Sequence, residues 1–143
     1  MVRFIQTSGW LALTLLSATL VGCGNGDLPP VGEVHGQVML NGAPVDGCQV
    51  MFEPVDGGRS STAMTDADGQ YVLRYNGNAA GALLGQHKVR LITARGARRD
   101  DNGRVIDPGA KEKLPKEYNS ETTQIVEVTS GDNPINFDVV TTK

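Results

Sequence analysis

Val34-His35-Gly36-Gln37-Val38-Met39-Leu40-Asn41-Gly42-Ala43-Pro44-Val45-Asp46-Gly47-Cys48-Gln49-Val50-Met51-Phe52-Glu53-Pro54 is the stretch whose reading decides the fold. Val34, Gly36, Val38 and Leu40 alternate with His35, Gln37 and Met39. A period of two gives a strand one buried face and one wetter face. The run stops at Asn41-Gly42, a dipeptide that supplies the positive φ angles of a tight hairpin turn. After Ala43-Pro44-Val45, a second alternation places Cys48, Val50 and Phe52 on one side and Gln49, Met51 and Glu53 on the other, and Pro54 ends it.

The same rhythm continues outward. Ser61 to Thr65 reads as a short strand, Asp66-Ala67-Asp68-Gly69 as a turn, and Tyr71, Leu73 and Tyr75 as the inner face of the next strand. Residues 76–85 form a small-residue loop. Gln86 to Ala94 gives a fifth strand with Val89 and Leu91 facing one way and Lys88 and Arg90 the other, and Thr122 to Val128 gives a sixth. Ile135, Phe137 and Val139, after the turn at Ser130-Gly131-Asp132-Asn133, give a seventh. Seven short strands, turns between them and no helical period predict an all-β, seven-stranded antiparallel sandwich of immunoglobulin-like type. The segment from Arg95 to Glu117 keeps no rhythm, although Asp101-Asn102-Gly103 has the composition of a hairpin turn.

Upstream, one charge, Arg3, precedes the run Trp10 to Val21, which is apolar apart from small hydroxyl residues. That is the layout of a secretory signal peptide, and the run is too short to cross about 30 Å of hydrocarbon as a helix. Leu20-Val21-Gly22-Cys23 resembles the bacterial lipobox. The resemblance implies recognition of Leu20, Val21 and Gly22 by a lipoprotein signal peptidase, cleavage before Cys23, and lipid on the Cys23 thiol. Two or more acyl chains hold a protein stably in a membrane where one holds it reversibly. The chain then divides into a signal peptide over 1–22, a lipidated Gly, Asn, Asp and Pro tether over 23–32, and a domain over 33–143. Gly24 after the cysteine lacks the Asp that signals inner-membrane retention, so an extracytoplasmic place on the outer membrane is expected over the inner.

Maturation would leave 121 of the 143 residues, enough for one domain. All 16 acidic residues survive it against 12 of the 13 basic ones, a net charge of −4 that speaks against nucleic acid as a partner. With Cys23 committed to lipid, Cys48 has no disulfide partner, and its place beside Val50 and Phe52 makes it a buried structural thiol.

VHGQVMLNGAPVDGCQVMFEP, TDADGQYVL and GALLGQHKVRL resemble the transthyretin-like and carboxypeptidase regulatory-like β-sandwich modules. LPKEYNSETTQIVEV and GDNPINFDV resemble short exported lipoproteins built on that module. The likeness spans roughly residues 33 to 140 and implies a noncatalytic domain for stability, display or protein contact. Transthyretin-like domains include 5-hydroxyisourate hydrolases, and His35, Gly42 and Pro44 match the start of their pattern. Asp68-Gly69-Gln70 stands where their catalytic arginine would follow the glycine, however, and the chain ends in VVTTK without their Tyr-Arg-Gly-Ser signature.

No catalytic residue is assigned, and no cofactor is expected. His35 and His87 alone do not complete a zinc site, and Asp66, Asp68 and Gly69 lack the further oxygen ligands of a calcium loop, so no metal is expected either. Arg95, Arg98, Arg99 and Arg104, diluted by Asp100 and Asp101, form a candidate contact loop for anionic headgroups or an acidic partner. The expectation is a lipid-anchored, noncatalytic envelope protein, held to the membrane through Cys23, with a structural role or an unidentified protein partner. The alternative is a small-ligand or ion-binding lipoprotein using residues 95–117.

Overall fold

The computed structural model describes residues 28–77 and 79–141. The expected signal peptide, the lipobox-like residues Leu20, Val21, Gly22 and Cys23, and the first half of the expected tether lie outside them. Among the described residues, twelve strands follow one another: β1 Val31–Leu40, β2 Ala43–Pro44, β3 Gln49–Pro54, β4 Ser61–Met64, β5 Gln70–Val72, β6 Ala82–Leu83, β7 Gly85–Ile92, β8 Arg98–Arg99, β9 Val105–Asp107, β10 Ile125–Val128, β11 Asp132–Pro134 and β12 Phe137–Val139. One 3-10 turn covers Lys116–Tyr118. No described helix is long and apolar enough to cross a membrane.

The strands form two packed sheets and a small separate hairpin. In the first sheet, β1 is central. β6, β5 and β2 pair antiparallel along one side of it, while β11 and β12 pair parallel along the other. The second sheet runs β10-β7-β3-β4 and is antiparallel throughout. Val34, Val38, Tyr71, Leu73, Phe137 and Val139 from the first sheet meet Cys48, Val50, Phe52, Val89, Leu91 and Val128 from the second in one buried core. Phe137 bridges the layers, with its ring 6.3 Å from that of Phe52 and 6.4 Å from that of Tyr71.

The expected inner faces are the observed ones, but the strand count and the uniform antiparallel pairing are corrected. The additional strands β2, β6, β8 and β9 are two or three residues long, and a period of two leaves no trace over so few positions. The expected seventh strand over Ile135, Phe137 and Val139 is confined to β12, and β11 forms at Asp132–Pro134, partly where a turn is expected; the two are broken at Ile135-Asn136. The break has a cause in β1. Gly36 faces inward, and a Cβ there would lie 1.7 Å from the Ile135 carbonyl oxygen, so the backbone of the last strand occupies the space a side chain would fill. The Tyr71 hydroxyl donates to that carbonyl at 2.6 Å, Ile135 N–H donates to His35 O at 2.8 Å, and Asn136 Oδ1 accepts from Gln37 N–H at 2.9 Å.

β1 also orients the domain. At its Val31 end lie β6, the start of β7 and the end of β10, where Gly85 pairs with Val128. At its Leu40 end lie Val45, whose N–H donates to Val38 O, the start of β3, and the end of β7, where Gln49 pairs with Ile92.

Candidate functional site

Residues 95–117 divide into two parts with different roles. The chain leaves β7 at Ile92 and projects as a hairpin in which Arg95 pairs with Ala110, Arg98 with Asp107 and Arg99 with Val105. Its turn is an Asp-x-x-Gly-x unit: Asp100 Oδ1 accepts from Asn102 and Arg104 N–H, while Gly103 N–H donates to Asp100 O. Asp66 does the same for Asp68 and Gln70, with Gly69 N–H donating to Asp66 O. Both acidic turns thus use their carboxylates on their own backbone, as an Asx turn does. Among the described residues, no group of three or more His, Cys, Asp or Glu side chains converges as a metal site would require.

The four arginines predicted as a contact loop do share this hairpin, and all are exposed. Arg95 Nε lies 3.3 Å from Asp107 Oδ2, and Arg99 Nη1 donates to Gly103 O at 2.8 Å. The N–H of Gly109 and the Arg95 guanidinium hold the Asp107 carboxyl below its usual range, with Arg98 adding to the field. Arg98 and Arg104 therefore carry the outward positive charge, beside exposed Val105 (49 %) and Ile106 (59 %).

The second part starts at Glu112 and, continuing past Glu117 to Thr123, closes one side of the sandwich. Leu114 enters the core, Asn119 and Thr122 are buried, and Tyr118 packs on the core edge. Glu112 fastens this strap to the end of β7. Its carboxylate accepts from the Thr93 hydroxyl and from the N–H groups of Thr93, Ala94, Lys113 and Leu114. Burial acts to raise the Glu112 carboxyl, but these donors outweigh it and hold it below the usual carboxylate value. Sequence reasoning missed Glu112, because its partner is a threonine just past the end of β7, 19 residues away, and no local pattern links them.

The two histidines are separate. His35 is half-exposed, with Nε2 3.2 Å from Asp132 Oδ1. His87 is fully buried on the inner face of β7, donates from Nε2 to Leu83 O at 2.7 Å and packs against Phe52. Cys48 is buried and unpaired, as its strand position predicts, and burial, with a smaller push from the Glu112 charge against an opposing hydrogen bond to the Ile92 backbone, raises its thiol to about 11.

Several surface concavities remain, two of which bear on binding. An open groove of about 640 Å³ runs over the outer face of the first sheet between His35, Gln37, Met64, Gln70 and Val72. A second, of about 490 Å³, lies on the outer face of the second sheet beside β10.

The chain is thus an all-β sandwich whose described surface offers open grooves and strand edges. No family model and no curated protein matches it. Two solved structures resemble it in part. A DUF3823 family protein from Parabacteroides merdae is 13 % identical with a TM-score of 0.42, over 78 % of this chain and 46 % of that one. A 9R-lipoxygenase from Cyanothece is 13 % identical with a TM-score of 0.44, over 78 % of this chain and 16 % of that one. The chain spans less than half the length of either, and likenesses this distant carry no argument about activity.

Proposed function

We propose that this chain is a lipid-anchored, noncatalytic protein of the cell envelope whose transthyretin-like sandwich serves as a contact module, reaching the membrane through lipid on Cys23 and a protein partner through its surface. The observation that carries the reading is the order of its parts. The tether enters β1 at Val31, eight residues after the lipobox cysteine, while the exposed hairpin of Arg98, Arg104, Val105 and Ile106 springs from the Leu40 end. Ten strand residues at about 3.3 Å each separate the two ends by about 30 Å. This spacing supports the hairpin facing a partner rather than the headgroups beside the anchor.

Fractionation tests the anchor. The wild-type chain should sediment with outer membranes and run at its lipidated, cleaved size. Cys23→Ser should remain uncleaved by the lipoprotein peptidase and lose the lipid mass. A Cys23→Ser protein that is processed and anchored like wild type refutes the proposal. Crosslinking in whole cells tests the partner: a defined protein adduct is expected, and its absence from every surface position refutes the contact role.

A second reading, small-ligand binding, is favoured by the groove of about 640 Å³ over His35, which is larger than the concavity of about 370 Å³ that Pro115 and Glu117 of residues 95–117 help to line. Ligand-dependent rises in melting temperature that vanish in Gln70→Ala and Val72→Ala would support it.

A further inference from the structure

We infer that the free edge of β10 receives an extended segment of a partner protein as an added strand, and that this segment pairs aliphatic side chains with an acidic one. The inference rests on the contact-module reading and specifies its surface. Val89 N–H donates to Gln124 O at 2.9 Å, and residues alternate from there, so Val126 and Val128 turn their backbone groups toward β7 while Ile125 and Glu127 turn theirs away. Those outward N–H and C=O groups have no hydrogen-bond partner among the described residues. An unpaired ladder of this kind is a template for a further strand.

Other edges are closed or blunted. Thr62 and Arg74 exchange backbone hydrogen bonds at 3.1 and 3.0 Å across the outer side of β4. β11 ends in Pro134, which has no N–H to offer, and β12 is three residues long.

The chemistry of the occupant follows from what borders the edge. Ile125 (52 % exposed) and Val55 (54 % exposed) rim the groove of about 490 Å³ beside β10, with Pro54 and Thr123 completing an apolar slot. Two charges also line it. Glu53 is held by Arg90, Nε to Oε2 3.1 Å, whereas Lys88, paired across the ladder with Ile125, has no ion-pair partner among the described residues. An aliphatic side chain fills the slot, and a carboxylate next to Ile125 meets the Lys88 ammonium. Glu127, two residues along on the same face, repels a second carboxylate opposite itself, which fixes the register.

The test uses the full-length lipoprotein in two settings. Purified in detergent micelles, it is titrated by fluorescence anisotropy with fluorescein-labelled hexapeptides that carry valine, glutamate and threonine in turn on one strand face, or valine, lysine and threonine, with threonine throughout the other face. The glutamate peptide should bind at least tenfold more tightly, Lys88→Glu should reverse that preference, and Glu127→Pro should weaken binding at least tenfold. The proline removes an N–H that points away from β7, so the melting temperature should hold; Ile125→Glu, which sets a like charge against the peptide carboxylate, is the second variant should it fall. Equal affinity for the two peptides, or wild-type binding by both edge variants, overturns the inference, as does a β10-mediated dimer of this chain that Glu127→Pro dissolves. In cells, p-benzoylphenylalanine at Thr123 should capture a partner. Capture only from the same photoprobe at Val105 overturns the β10 assignment and leaves the contact module standing, while no capture from either overturns both.

Discussion

Gly36→Ala is the substitution whose cost the structure sets most sharply. The new methyl carbon would stand 1.7 Å from the Ile135 carbonyl oxygen and 2.6 Å from its carbon, both backbone atoms, so the last strand must withdraw by more than an ångström. Withdrawal breaks or stretches three hydrogen bonds: Tyr71 Oη to Ile135 O, Ile135 N to His35 O, and Gln37 N to Asn136 Oδ1. At about 1 kcal/mol each these account for about 3 kcal/mol. Overpacking of the adjacent core adds about 1–3 kcal/mol, and the stiffer unfolded chain returns about 0.5–1 kcal/mol. The net expectation is a loss of about 3–5 kcal/mol, a large part of the roughly 5–15 kcal/mol that holds such a domain together. Urea unfolding followed by far-UV circular dichroism is the assay, since the single tryptophan, Trp10, lies outside the described sandwich. Gly42→Ala is the control: its Cβ would meet nothing within 4 Å, and only a φ of +81° opposes it. That variant should cost about 1–2 kcal/mol. If Gly36→Ala costs no more than Gly42→Ala, the account of the broken last strand is wrong.

Three further outcomes are expected. Glu112→Gln weakens an acceptor shared by five donors and should cost about 1 kcal/mol, the carboxylate being too exposed for more, with faster hydrogen exchange at the Thr93 and Leu114 amides. Because the folded carboxyl lies below its ordinary value of 4.5, its contribution is full above that pH and is lost as the pH falls through the lowered folded value; the wild-type stability curve should therefore drop more steeply there than that of Glu112→Gln. Raising the Cys48 thiol from 9.0 to about 11 cuts its thiolate fraction roughly 100-fold, so alkylation by iodoacetamide at pH 8 should be at least that much slower in the folded protein than in urea, and equal rates would contradict its burial. Deleting residues 97–109 should move the melting temperature by only a few degrees, whereas Leu114→Ala should cost about 2–4 kcal/mol; the reverse ranking would show that the hairpin, not the strap, supports the core.

Much of the sandwich is legible in the chain itself. Alternation at Val34 to Leu40, at Cys48 to Phe52 and at Val89 to Leu91 names the inner faces, because a pleated strand turns every second side chain to the same side. Asp66-Ala67-Asp68-Gly69 and Asp101-Asn102-Gly103 announce their turns by composition, although the carboxylate that caps the second is that of Asp100, one residue earlier. The burial of Cys48 follows from its alternation with Val50 and Phe52.

What sequence alone could not decide is whatever depends on a distant neighbour. Gly36 reads as a weak point in an apolar alternation until Ile135, 99 residues later, fills its missing side chain. The parallel setting of β11 and β12 against β1, the division of residues 95–117 into a projecting hairpin and a core-closing strap, and the choice of β10 as the edge left open are likewise facts of assembly. Periodicity records which way a side chain points, but the backbone groups that pair strands are identical at every residue, so the partner of each strand is fixed only when the two layers close on a common core.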